Sequence, residues 1–403
     1  MEDFATLWLW VEFAVRWLHV ITAIAWIGSS FYFIALDLGL NRDIPGPADG
    51  EEWQVHGGGF YHIQKYLVAP PAMPAHLTWF KWESYWTWLS GAALLMVIYW
   101  AGAELYLIDF GKVDLAVWQA IALSAGSLAL GWVIYDLLCK SPLGHRPTAL
   151  MLLLFILLVA MSWGYHQVFT GRAAMLHLGA FTATIMTVNV AHVIIPNQRI
   201  VVADLQAGRA PDPEYGRIAK LRSTHNNYLT LPVIFMMLST HYPLAFATRY
   251  SWIIAGLVFL MGVTIRHWFN TRHARKGNPH WTWAVTVVLF LLIAWLSTAP
   301  RLGEAEAATL SPAQQRFTEV AAFDAAENII LGRCSMCHAR EPAWPGMIVA
   351  PKGVWLETPE DMARHAREIY LQAGLSQAMP PANVSFIAPD ERAALVTWYQ
   401  TGR

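Results

Sequence analysis

The sequence predicts an all-α protein: a polytopic bundle of eight transmembrane helices followed by a small water-facing helical domain. Three observations carry that prediction. Of 403 residues, 56% are hydrophobic, only 14% are charged and 21 are Trp, a balance far from that of soluble chains. The apolar residues also gather in runs long enough to cross about 30 Å of hydrocarbon as helices of about 20 residues. Finally, the composition turns charged and amphipathic after Ala299-Pro300. A formal net charge of −1 leaves no basic footprint, so no nucleic-acid partner is expected.

The expected spans lie at 8–36, 86–105, 115–138, 149–166, 172–195, 227–247, 250–268 and 281–299. Helices rather than strands follow because the runs are long and do not alternate, and because lipid offers an open backbone no partner. The opening MEDFATLWLW carries acids and lacks a basic n-region, so the first run reads as a retained helix, not a cleaved signal peptide. The first loop, 37–85, is too long for a plain connector. Alternate loops divide the basic residues unevenly: Arg146, Arg199, Arg209, Arg217 and Arg272 are among many on one side, against Lys112, Arg172 and Arg249 on the other. The richer side is expected to be cytoplasmic, which puts both termini in the periplasm of a multi-pass bacterial inner-membrane protein. The division expected is 1–300 within the lipid bilayer and 301–403 outside it, the latter with helices at 314–333, 358–373 and 389–401.

The C-terminal part contains Cys334-Ser-Met-Cys337-His338. This spacing suits covalent haem c, since two thiols add to the two vinyl groups while the adjoining imidazole ligates the iron. A disulfide or half a zinc site is the competing reading, but the chain has 3 Cys and no second pair to complete a tetrahedral metal site. Helices before and after the motif give an order that resembles a small class I cytochrome c. There the sixth iron ligand is a Met on a loop before the last helix; Met379, in Leu375-Ser-Gln-Ala-Met379-Pro-Pro, occupies that place, with Met347 and Met362 as rivals.

Several polar residues lie inside expected spans, where an ionisable group is a functional candidate by default. Glu12, Arg16 and His19 share one face of the first helix, and Glu12 with Arg16 can pair and snorkel to the outer surface. His177 and His192 stand about 22 Å apart along the fifth. With His19, they are candidate ligands of a possible haem b, and the phrase Arg16–Gly28 resembles helices that bind haem b through such a histidine. Two clusters belong to the cytoplasmic side. The long loop holds His56-Gly57-Gly58-Gly59-Phe60-Tyr61 and Phe80-Lys81-Trp82-Glu83-Ser84-Tyr85, where glycines permit close backbone approach to a ligand. His225-Asn226-Asn227-Tyr228 opens the sixth span, where free N–H groups of a helix N-terminus would favour an anion, or where the run simply caps the helix.

These stretches together, with His225-Asn-Asn-Tyr-Leu-Thr-Leu-Pro232 and the Cys334–His338 motif, resemble the bacterial membrane-bound urate oxidases, or urate hydroxylases, that carry a C-terminal cytochrome c. The resemblance covers nearly the whole chain. It implies oxidation of urate to 5-hydroxyisourate, with electrons leaving through the cytochrome toward a respiratory cytochrome or oxidase rather than to oxygen at the site. The candidate catalytic residues are then His225, Asn226, Asn227, Tyr228, Lys81, Glu83 and His56, with His225 or Glu83 as the base. The alternative is a non-catalytic, membrane-anchored cytochrome that relays electrons for a quinol oxidoreductase or an oxidase.

Overall fold

The long apolar runs become long helices in the computed structural model, which describes residues 2–66, 70–109, 112–298, 310–347 and 349–403. Helix α1 spans Glu2–Gly39, α2 Trp82–Leu94, α3 Val117–Lys140, α4 Pro147–Val168 and α5 Gly171–Val188. Helix α5 continues through a π-helical stretch, Asn189–Ile194, into α6, Ile195–Gln206. Then follow α7 Pro213–Ser239, the short α8 Pro243–Phe246, α9 Ser251–His273 and α10 Trp281–Thr298.

Among the described residues, six helical segments are long and apolar enough to cross a membrane: 7–39, 117–140, 147–168, 171–206, 251–273 and 281–298. The other two expected spans are helical but different in kind. The run at 86–105 is α2 followed by π-helical turns at 95–100 and 103–107. The run expected to begin at 227 begins at Pro213 instead. Asp212 accepts a hydrogen bond from the Glu214 amide at 2.8 Å and Pro213 takes the first helical position. A capping aspartate and a leading proline start a helix whatever its hydropathy.

The long loop contains a hairpin. Strand β1, Gly50–His56, pairs antiparallel with β2, Gly59–Lys65, in the register His56 opposite Gly59. Gly57 and Gly58 have φ of 59° and 81° and form the two-residue turn, which needs left-handed backbone at both positions. The expected ligand-approach glycines are therefore the tip of a hairpin, and their conformational freedom is used by the turn.

Helix α5 is buried on most of its faces, against α3, α4 and α7. Close approach depends on small residues, as in other helix pairs in lipid. A Cβ at Gly131 would lie 1.8 Å from the Phe181 ring, and one at Gly262 only 2.6 Å from the ring of Pro232.

A second hydrophobic core, built around Phe317, Phe323, Ile330, Met362, Leu395 and Trp398, stands apart from the first. Its helices are α11 Pro312–Glu319, α12 Phe323–Arg333, α13 Pro359–Arg364, α14 Ala366–Ile369 and α15 Pro389–Gly402. The single helix expected over 314–333 is broken, because Val320 is extended (ψ 143°). The buried Trp398 indole donates to the Phe317 carbonyl at 2.8 Å and ties the last helix to the first. The expected boundary at 300 lies outside the described residues.

The two regions meet where Leu105 packs against the second core and at a few polar contacts. Arg367 donates to the Tyr106 hydroxyl at 2.8 Å and approaches Glu12 at 3.6 Å, while Arg316 reaches Glu104 at 3.3 Å. The expected Glu12–Arg16 pair forms at 2.7 Å, and the same carboxylate also faces the second core.

Candidate functional site

Helix α12 delivers the Cys334–His338 motif at its C-terminal end. The His338 amide closes a turn on the Cys334 carbonyl at 3.0 Å, which holds both thiols and the imidazole in one compact loop. Nδ1 of His338 lies 3.0 Å from the Val354 carbonyl. A carbonyl only accepts, so Nδ1 carries the proton and Nε2 keeps its lone pair. Such a bond orients a metal-binding imidazole and raises its basicity. Burial pushes the Cys334 thiol up to about 11 and also raises that of Cys337, so both are neutral thiols at pH 7. Met379 is partly exposed on the loop before α15, and Arg392 pins that loop, donating to the carbonyls of Ala373 (2.6 Å) and Met379 (2.9 Å). Met362, by contrast, is wholly buried in the second core. Two thiols, an imidazole with a free Nε2 and a thioether on a held loop fit a covalent haem. Among the described residues no three His, Cys, Asp or Glu side chains gather as a site for a bare metal ion.

The candidate haem b ligands are not alike. His19 uses Nδ1, 3.0 Å from the Thr87 carbonyl and 3.1 Å from Ser90 Oγ, and leans on Gly91. His177 is fully buried with both nitrogens engaged: Nδ1 donates to the Ala173 carbonyl at 2.8 Å, and Nε2 accepts from Ser124 Oγ at 2.8 Å. Ser124 is the donor there, because the proton of the neutral ring sits on Nδ1 against the Ala173 carbonyl, and the Ser124 oxygen also accepts from the Trp100 indole at 2.9 Å. No lone pair of His177 is left for iron, so it does not fit a haem ligand. His192 is exposed beside the Trp132 ring, 5.8 Å away. Among the described residues no hydrogen bond or ring contact joins these three histidines.

His225, Asn226, Asn227 and Tyr228 sit in the interior of α7, not at a helix N-terminus, so the free amides expected to meet an anion are consumed by the helix itself. Their side chains do the polar work instead. His225 Nδ1 meets the Tyr135 hydroxyl at 2.7 Å. Asn226 Oδ1 accepts from Asn189 at 3.1 Å, and Asn189 also reaches Tyr135 at 3.0 Å. Arg222 donates to Asn189 at 3.1 Å and pairs with Asp136 at 2.6 Å. Asn227 accepts from Arg266 at 2.8 Å, whose guanidinium lies 4.0 Å from the Phe31 ring. Tyr228 is half-buried beside this group.

The remaining candidates stay on their own elements. His56 is exposed at the hairpin tip, Lys81 precedes α2 with its ammonium 5.2 Å from the Trp82 ring, and Glu83 lies in the first turn of α2. Among the described residues none of the three is hydrogen-bonded to residues 225–228. Sequence reasoning missed Tyr135, Asp136, Asn189, Arg222 and Arg266. Asp136, the one acid in an apolar run, and Arg222, three residues before His225, were signals that could have found two of them.

A membrane protein with a buried ionic and amide network across three helices, and a separate helical core bearing the thiol pair, is the class this architecture defines. Residues 5–297 match the urate oxidase N-terminal family, and the chain belongs to that family. No curated protein and no solved structure matches it.

Proposed function

We propose that the chain is a membrane-bound oxidoreductase that converts urate and one water to 5-hydroxyisourate, two protons and two electrons, the electrons leaving one at a time through its own covalent haem c and onward to a respiratory cytochrome or oxidase. The observation that carries this is a union in one chain. The family match covers the membrane part, and beyond it lies a Cys-x-x-Cys-His turn whose imidazole is oriented with Nε2 free. Cys334 and Cys337 would bond the haem, with His338 and Met379 as axial ligands. Bound there, haem c supplies a one-electron acceptor whose potential a Met sulfur raises.

In this reading α2 and α7 also cross the bilayer, giving eight spans, both termini periplasmic and a division near residue 300. Urate binds at the polar network of α3, α5 and α7, where His225 and Asn226 face it and Arg222 meets its negative charge. Asp136 is shared by Arg222 and Lys140, each at 2.6 Å, so the cations there outnumber the carboxylate. That excess favours an anion. His177 has no part in it as a haem ligand.

Anaerobic addition of urate to the purified full-length protein tests the proposal. The c-type absorption band should become that of reduced haem without peroxide formation. A pigment that stays ferric in excess urate, yet is reduced by dithionite or by a quinol, defeats it.

A further inference from the structure

The polar network has a fixed donor and acceptor order, and that order determines what His225 can do. A guanidinium only donates, so Asn189 must turn its oxygen toward Arg222, at 3.1 Å, and its Nδ2 the other way. That Nδ2 donates to Asn226 Oδ1 at 3.1 Å and to the Tyr135 oxygen at 3.0 Å. Asn226 is oriented independently, because its own Nδ2 donates to the Met186 carbonyl at 3.0 Å. Tyr135 has thus accepted from Asn189 and has one proton to give. Its strongest neighbouring acceptor is His225 Nδ1, at 2.7 Å. The Cys139 thiol also faces the Tyr135 hydroxyl, but sulfur is a weak acceptor.

His225 therefore accepts at Nδ1 and carries its proton on Nε2. That Nε2 is buried with no partner, and so is the Nε–H of Arg222 one helical turn away. Both are obligatory donors. A buried donor left unpaired is costly, and native proteins rarely keep one without an acceptor that arrives from outside the chain. The π-helical stretch that begins at Asn189 adds to the argument, since such bulges concentrate at functional sites.

We infer that His225 is a hydrogen-bond donor to the substrate and not its general base, and that His225 Nε2–H with Arg222 Nε–H selects a flat anion presenting carbonyl oxygens or a deprotonated ring nitrogen. Tyr135 and Asn189 are positioning residues that hold His225 in the donating tautomer. The inference rests on the urate reading of this site. It gives the proton-accepting role to some other group.

The test uses the full-length holoprotein in detergent. Glutamine can present an N–H near the place of Nε2 but takes up no proton at neutral pH, whereas leucine presents none. Urate binding is measured with the haem pre-reduced, so that no turnover occurs, and turnover is read from the c-type band. His225→Leu should weaken urate binding about ten- to hundredfold, the worth of a hydrogen bond to a charged group. His225→Gln should weaken binding and slow turnover by less than about tenfold. If His225→Gln binds urate like the wild type but turns over more than a hundredfold slower, the loss typical of a general base, His225 is the base and the inference falls. If both variants bind and turn over like the wild type, only a water fills the site and the inference also falls. Ring nitrogen NMR gives a readout that a merely structural role would not move. The histidine signal absent from His225→Gln should show a protonated Nε2 in the wild type, and a mixture of tautomers in Tyr135→Phe; a protonated Nδ1 in the wild type overturns the proposal. A wild-type protein that ignores urate defeats the functional reading, while the spectrum still decides the tautomer.

Discussion

The two regions of this molecule keep their chemistry in opposite ways. In the C-terminal region the reactive side chains are consecutive: Cys334, Cys337 and His338 sit in one turn, and the local backbone alone brings them together. In the membrane region they are dispersed, with Asp136 paired to Arg222 across 86 residues and Tyr135 to His225 across 90. A covalent attachment site needs thiols at a set spacing on one short loop. An enclosed polar site in lipid must draw its donors and acceptors from neighbouring helices, because no water is there to supply them, and here His225 Nε2 and Arg222 Nε are the buried donors left over.

The comparison can be broken most severely at the thiols. Replacing Cys334 and Cys337 with Ser should abolish covalent haem, read by haem staining after denaturation, while urate binding to the bundle changes less than a few-fold. Loss of urate binding in that variant would mean that the regions do not divide the work. Next in size is Asp136→Leu, which leaves the Arg222 guanidinium buried without its carboxylate. It should cost about 3–5 kcal/mol of bundle stability, seen as a fall in melting temperature in detergent, and Arg222→Leu added to it should recover part of that loss.

A smaller effect is expected where the regions touch. Arg367→Ala removes the contacts to Tyr106 and Glu12, and about 1–3 kcal/mol of docking with them. Hydrogen exchange should rise around α14 and around the N-terminal end of α1 without loss of any bound haem. Smallest is the acid response of the second core. The Glu391 carboxylate accepts from the Ala388 amide and from Arg333, and both hold its pKa below the ordinary glutamate value, the amide most. A carboxyl lowered by folding stabilises the native state above its unfolded pKa, and that contribution fades as pH falls through the folded one. The group is partly exposed, and solvent screening keeps the effect below about 1 kcal/mol. Glu391→Gln should lower the melting temperature of the second core slightly near neutral pH and leave it unchanged in acid, which flattens the acid limb of its pH profile.

Much of this arrangement was legible in the chain. The runs of apolar residues marked six segments that are long and apolar enough to cross a membrane, and the last helix begins at the expected Pro389. The Cys334–His338 stretch forms one compact turn, as its short spacing requires. Where expectation failed, capping and turn chemistry overruled hydropathy: Asp212 and Pro213 moved the start of α7 outside its apolar run, and Gly57 and Gly58 served a hairpin. Among the described residues His56, Lys81 and Glu83 make no hydrogen bond to residues 225–228, and sequence position could not have told whether they would. Nearness to one membrane face says nothing about which helix faces are turned toward each other.

The sequence by itself determined the composition of the spans, the place of the thiol pair and its imidazole, and the kinship of residues 5–297. Those properties are local or additive along the chain. Only the tertiary structure decided that His177 spends both nitrogens inside the bundle, and that His225 answers to Tyr135 and, through Asn189, to Arg222. A hydrogen bond's direction is settled by what each partner can donate or accept, and those partners meet only when distant helices pack.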